Sequence, residues 1–288
     1  MITGGNGLFA SGLDRVIGRR HQSLPITRAQ ADLTVLEQVR KALAALRPDV
    51  VVHTAGIPDL DRCESNPSEA FRANVGATAN VVSLAEQMKF GVVLISTDAV
   101  FDGLKHGPYE ENDEPRPLSV YGRTKLEAER EVQRLQEHWI FRVSVLFGPG
   151  KDNVVTKCLR TIKRGSNYVA ASDQIGSATY TLDAAEKIVE LIESRRYGLY
   201  HLCNQGRCSR LELAQYAAEL AGLDKNMIEG KTRQQMNRRA PRPKYAEMKM
   251  AALENAGLSP PRGWKEALAE YLREFCTDEG SEGTSKVP

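Results

Sequence analysis

Three compact apolar runs, each closed by small or polar residues, constrain the fold of this 288-residue chain more than any other feature. Asp49-Val50-Val51-Val52-His53 ends in Thr54-Ala55-Gly56, and Phe90-Gly91-Val92-Val93-Leu94-Ile95 stops at Ser96-Thr97-Asp98. Trp139 to Leu146 is closed by Gly148-Pro149-Gly150. Short strands that are apolar on both faces belong to parallel sheets, and parallel neighbours need a crossover between them. Helical patterns lie where such crossovers fall. Val35, Leu36, Val39, Leu43 and Leu46 recur at helical spacing before Pro48, and Pro67 to Met88 reads as a helix carrying Val75, Val81, Val82 and Leu84. The repetition predicts an α/β fold with a doubly wound parallel sheet.

The chain opens with Met1-Ile2-Thr3-Gly4-Gly5-Asn6-Gly7-Leu8-Phe9-Ala10. Gly4-x-x-Gly7-x-x-Ala10 has the form of a strand-to-helix turn in a Rossmann-like sheet. Its glycines would allow a tight turn and bring backbone N–H groups to a pyrophosphate at the helix start. Almost no strand precedes Gly4, so the first strand is expected to be short, or to draw on apolar residues upstream. A glycine-rich loop without function is the plainer alternative.

Val120-Tyr121-Gly122-Arg123-Thr124-Lys125 follows Pro117 and Leu118. In a helix, Tyr121 and Lys125 share one face. A phenol ordinarily titrates near ~10, and a neighbouring ammonium draws it down. The strand ending at Thr97 would bring a hydroxyl to the same cleft. Hydroxyl, phenol and lysine together suit the polarisation and protonation of a carbonyl. Tyr-x-x-x-Lys alone fits a surface helix equally well; its neighbours decide between the two readings.

Beyond about residue 150 the pattern loosens into helices over Asn153–Lys163, Tyr180–Ser194 and Ser209–Ala221, a strand over Tyr200–Asn204, and helical pieces over Leu253–Leu258 and Trp264–Phe275. The expected organisation is a dinucleotide-binding domain over 1–150, a smaller substrate lobe over 151–276 that can return elements to the main domain, and a disordered tail over 277–288. A net charge of +2 argues against a dedicated nucleic-acid binder. The most basic stretch, Lys225 to Lys249, is either a solvated loop or a site for an anionic substrate. Five scattered cysteines without a Cys-x-x-Cys pair suggest reduced thiols in the cytoplasm, and no cluster has metal-ligand spacing. No apolar run approaches the ~20 residues of a membrane span.

Ser96-Thr97-Asp98-Ala99-Val100-Phe101-Asp102-Gly103, followed by Tyr121-Gly122-Arg123-Thr124-Lys125-Leu126, resembles the extended short-chain dehydrogenase/reductases, and among them the dTDP-4-dehydrorhamnose reductases. Thr3-Gly4-Gly5-Asn6-Gly7, Asp32-Leu33-Thr34, Arg47-Pro48-Asp49, Asn74-Val75, Leu146-Phe147-Gly148-Pro149-Gly150, Arg242-Pro243 and Gly263-Trp264-Lys265 extend the likeness along the chain. The resemblance implies reduction of a 4-keto nucleotide sugar, with Thr97, Tyr121 and Lys125 as the catalytic set. It places Gly4, Asn6, Gly7, Leu8 and Phe9 at the pyrophosphate, Asp32 and Leu33 at the adenine, and Thr54, Ala55 and Gly56 on the path to the nicotinamide ribose, where Tyr121 and Lys125 also meet the cofactor. Thr97, Asp98, Val145 and Arg242 would face the nucleotide sugar. Ala99, Val145 and His53 depart from residues common in close relatives, at tyrosine, tryptophan and asparagine positions respectively. A catalytically silent regulatory subunit like the β subunit of methionine adenosyltransferase, and a sugar-nucleotide epimerase or dehydratase, are the rival readings. A homodimer is compatible with all of them.

After the second strand, Pro25-Ile26-Thr27-Arg28-Ala29 lacks the carboxylate by which NAD-selective folds bind the adenosine ribose. Arg28 would instead pair with a 2′-phosphate through its planar fork. NADP, with NADPH preferred and NADH usable, is the expected cofactor; a solvated loop arginine is the alternative.

Overall fold

The computed structural model describes residues 1–275, so the tail expected over 277–288 lies outside the described residues. The chain opens on β1 (Ile2–Thr3), turns at Gly4 and enters α1 (Leu8–Ile17). β2 (Pro25–Ile26), α2 (Leu36–Leu46) and β3 (Val50–His53) follow. Two short helices, α3 (Leu60–Ser65) and α4 (Pro67–Phe71), lead through a π turn at Arg72–Gly76 into α5 (Ala77–Met88). Next come β4 (Gly91–Thr97), α6 (Val120–Val132) and β5 (His138–Val143).

The chain then leaves for a second layer: β6 (Val145–Phe147), α7 (Val154–Lys163), β7 (Tyr168–Ala171) and β8 (Ile175–Tyr180). It comes back with α8 (Thr181–Glu193) and β9 (Gly198–His201), and leaves again for β10 (Asn204–Ser209), α9 (Arg210–Leu220) and β11 (Ile228–Lys231). β12 (Tyr245–Ala246), α10 (Ala251–Asn255) and α11 (Trp264–Phe275) finish the described chain.

The main sheet has the order β2-β1-β3-β4-β5-β9 and every pairing in it is parallel. Apolar side chains cover both of its faces. Phe9, Leu13 and Val16 of α1 pack with Ala185 and Ile188 of α8 on one side, and Val39, Leu43, Val81 and Leu84 of α2 and α5 pack on the other. All seven residues of β4 are buried. Each fully buried Val, Leu or Ile side chain contributes roughly 1.5–3 kcal/mol. A separate core joins α7, α9 and α11 to the small sheets through Leu159, Leu213 and Leu268. The fold is thus α/β and Rossmann-like, with the order reversing between β1 and β3, where a crevice opens at the carboxyl ends.

Two local expectations are redrawn. The helix expected over Pro67–Met88 is interrupted by the π turn, which turns Asn74 inward until it is only 2% exposed. There its side-chain amide donates to Thr124 Oγ1 at 2.9 Å and its oxygen accepts from Ile57 N at 2.7 Å, a set of bonds that a regular helix would aim elsewhere. The strand expected over Tyr200–Asn204 is two strands: β9 joins the main sheet and β10 begins at Asn204 in another sheet. β1 is two residues long, yet Ile2 and Thr3 pair on both sides.

Candidate active site

A cleft of about 1130 Å³ runs along the carboxyl ends of the main sheet. At one end the backbone of Gly4 is left-handed, with φ of 69°, and an added Cβ would sit 2.9 Å from Ala55 Cα. Only glycine fits there. Gly7 precedes α1 in an extended conformation and supplies no side-chain cap, so the first-turn N–H groups of α1 are not taken by a capping side chain. Asn6, Gly7, Leu8 and Phe9 line this end. A side-chain-free turn opening on a helix N-terminus fits a dinucleotide pyrophosphate.

At the outer edge, Arg28 and Asp32 both line the cleft but are bonded to each other, with Arg28 Nη2 3.0 Å from Asp32 Oδ2. Two hydrogen bonds from Thr34, ahead of Arg28, hold the Asp32 carboxyl below its ordinary range. The Arg28 side chain is 78% exposed. Leu33 lies behind them, and Thr54, Ala55 and Gly56 carry the wall inward. Thr54 Oγ1 donates to Thr3 O at 2.6 Å, fixing the β1 and β3 termini together.

At the inner end β4 delivers Thr97, whose Oγ1 accepts from Ala99 N at 3.2 Å and so caps a short turn over Asp98–Val100. Ser119 caps α6 by accepting from Gly122 N. Gly122 explains the residue between the phenol and the lysine: a Cβ there would lie 2.2 Å from Ala99 O. Its absence lets α6 press onto that turn and brings the Tyr121 phenol close to the Thr97 hydroxyl. Burial pushes the phenol above its ordinary value, with the Thr97 hydroxyl opposing. The downward pull on the phenol expected from Lys125 is not felt there; the lowering influence comes from Thr97. A phenol kept protonated is suited to giving up its proton.

Lys125 is 8% exposed, and burial brings its ammonium down to about 8, against a raising influence from Glu129 one turn further along α6. His53, buried beside it, is brought down to about 3 by burial and by the Lys125 charge. Its ring nitrogens lie 2.9 Å from Thr3 Oγ1 and 3.1 Å from Thr78 Oγ1, so the neutral imidazole ties β1 and β3 to α5.

Asp98, Val145 and Arg242 also line the cleft. Ser144 Oγ donates to Asp98 Oδ2 at 2.5 Å, and burial raises the Asp98 carboxyl. Arg242 turns its guanidinium onto Asp61 of α3, at 3.0 and 3.2 Å, and onto Ala240 O. Ser144, Arg210 and Lys157 join this wall without having been expected from the sequence, and Arg238 joins it from the basic stretch Lys225 to Lys249. Arg210 is one residue after a Ser-x-x-Glu capping box begins, and that local signal says helix start and nothing of a cleft.

Hydroxyl, phenol and lysine at the strand ends of a Rossmann-like sheet form the pattern of the short-chain dehydrogenase/reductases. The chain belongs to the RmlD substrate binding domain family, which matches residues 1–277. It is 35% identical to the spore coat polysaccharide biosynthesis protein SpsK of Bacillus subtilis, over 95% of this chain and 96% of that one. It is 31% identical to a dTDP-4-dehydrorhamnose reductase of Mycolicibacterium smegmatis, over 94% and 84% of the two chains. Among solved structures, the dTDP-4-dehydrorhamnose reductase of Bacillus anthracis in complex with NADP superposes with a TM-score of 0.91 at 30% identity, covering 95% of this chain and 98% of that chain.

Proposed function

We propose that this protein is an oxidoreductase that reduces the 4-keto group of a nucleotide sugar with NADPH, converting dTDP-4-dehydrorhamnose to dTDP-L-rhamnose. The observation that carries the reading is the meeting of Thr97, Tyr121 and Lys125 in one cleft whose walls also include the Gly4–Gly7 turn and Arg242. The reductase names of the relatives and the NADP in the Bacillus anthracis structure support it and disfavour a silent regulatory subunit.

When bound, NADPH supplies the hydride that the carbonyl carbon receives. Thr97 Oγ1, which donates to Asp98 Oδ1 in the free protein, turns its proton to the carbonyl oxygen and orients it. Tyr121 Oη gives that oxygen its proton as charge develops there, so that hydride and proton together convert the ketone to a secondary alcohol. The phenolate regains its proton from water. Lys125, positively charged below its pKa, offers N–H donors to the ribose hydroxyls. The first turn of α1 holds the pyrophosphate, and Arg28 turns from Asp32 to the 2′-phosphate. An exposed ion pair is worth only ~0–1 kcal/mol, and a hydrogen bond to a charged group contributes ~1.5–3 kcal/mol, so the exchange favours the bound cofactor. Asp98, Val145 and Arg242 face the sugar nucleotide.

The division into a dinucleotide-binding part over 1–150 and a substrate lobe, with β9 given back to the main sheet, belongs to the same proposal. So do a cytoplasmic location and a homodimer. The test is NADPH oxidation, followed by absorbance, with dTDP-4-dehydro-6-deoxy-L-mannose. Turnover dependent on that sugar is expected, and its absence in folded protein overturns the reading.

A further inference from the structure

Among the described residues, side-chain polar atoms of Ser23, Tyr180, Thr181, His201 and Arg210 are cut off from solvent without a hydrogen-bond partner. Of these five residues, Arg210 alone lines the cleft. Its Nη1 is the buried atom, and its guanidinium lies within electrostatic reach of the Asp98 carboxylate without bonding to it. Asp98 itself is occupied by Ser144 Oγ at 2.5 Å and Thr97 Oγ1 at 3.1 Å, one on each carboxylate oxygen.

The placement of Arg210 is costly in three ways. It is the first residue of α9, where the helix dipole disfavours a cation. It lies within electrostatic reach of a second cation of the same cleft, Arg238. And a buried donor without an acceptor loses its hydration with no return. Capping of α9 does not require it, since Ser209 and Glu212 exchange the two capping bonds. An unbranched apolar side chain would fill the same volume without these costs.

We infer that Arg210 is a specificity-determining residue whose guanidinium donates from its cleft-facing side to a hydroxyl of the bound sugar, the same hydroxyl donating to Asp98. The inference rests on the proposed sugar-nucleotide reading and deepens it. A hydroxyl is the group that answers a donor and an acceptor side by side, because it accepts through a lone pair and donates its own proton. The carboxylate oxygens of Asp98 keep further lone pairs for it. Asp98 follows Thr97 directly, which puts this pair at the reacting end of the cleft.

The test is calorimetric titration of dTDP-L-rhamnose and of dTDP, each into wild type and Arg210→Met in the presence of NADP⁺, together with the Tm of both ligand-free proteins. In the variant, affinity for dTDP-L-rhamnose is expected to fall roughly 10- to 100-fold, the range of one hydrogen bond to a charged group. Affinity for dTDP is expected to change less than about threefold, the group contacted being on the sugar, and Tm to stay or rise. An equal loss for dTDP places the guanidinium on the diphosphate and overturns the inference. So does unchanged affinity with a lowered Tm, which makes Arg210 a structural neutraliser of Asp98. If Arg210→Met does not fold, Arg210→Lys, which keeps the charge and loses the fork, takes its place in the same titrations: a loss confined to the sugar nucleotide supports the inference, and an equal loss for dTDP or no loss overturns it. NADPH oxidation by wild type reports separately: turnover with no selective loss in the variant overturns only the role of Arg210, and selective loss without turnover overturns only the proposed reaction.

Discussion

Glu129 and Arg142 form a two-bond ion pair inside the protein, with Arg142 Nη2 2.7 Å from Glu129 Oε2 and Nε 3.0 Å from Oε1. Both side chains are nearly sealed from water, at 2% and 3% exposure. Ser96 Oγ adds a third bond to the carboxylate at 2.5 Å, so the pair clamps α6 against both β4 and β5. Removing one charge strands the other in the interior, a loss of ~3–5 kcal/mol. Glu129→Gln is therefore expected to lower unfolding free energy by about that amount in urea titrations; a change below ~1 kcal/mol would refute the clamp.

For the proposed proton donor, Tyr121→Phe keeps the ring and removes the hydroxyl that lies beside Thr97. Turnover is expected to fall roughly 10²–10⁴-fold, with NADPH affinity little changed by fluorescence titration. A folded variant with wild-type kcat would remove Tyr121 from the reaction.

Lys125 makes stability depend on pH with a definite sign. Its folded value of about 8 lies below the ordinary 10.5, so between these the unfolded chain binds the proton more strongly and stability rises with pH. The burden of the buried ammonium is fully present below pH 8 and is relieved towards pH 10.5. Lys125→Met is expected to be more stable than wild type at pH 7, with the gap shrinking by roughly 2 kcal/mol at pH 10. A gap that is constant between the two pH values counts against a depressed lysine.

Arg28→Ala tests cofactor choice. Wild type is expected to prefer NADPH to NADH, and the substitution to erode the ratio of kcat/KM values about ten- to a hundred-fold, chiefly through KM for NADPH. If the ratio survives, the Arg28–Asp32 pair is a surface contact and nothing more.

The parts of this molecule that repeat along the chain were legible in its sequence. β4 announces itself by an apolar run, and Tyr121 and Lys125 by their spacing on one helix, because the interactions that form these elements are local. The site residues brought in from afar were not. Arg210 reaches Asp98 only because the chain crosses from α9 to the end of β4, and no period in either segment records that meeting. His53 looked like a departure from pattern; its fitness lies in Thr3 and Thr78, on two other elements. The depressed Lys125 and raised Tyr121 likewise come from burial, which follows from tertiary packing and not from the four-residue spacing.

The return of β9 to the main sheet has a consequence for how such a chain can change. Because the main sheet takes its sixth strand from beyond β8, and β10 immediately departs again, no single cut separates the main sheet from the smaller sheets. Grafting a foreign carboxyl-terminal half would leave β5 without its outer neighbour and α1 without the helix packed on it. New specificity in this architecture therefore has to be written one side chain at a time, at positions such as Val145 and Arg210 on the cleft wall, with the scaffold passed on whole.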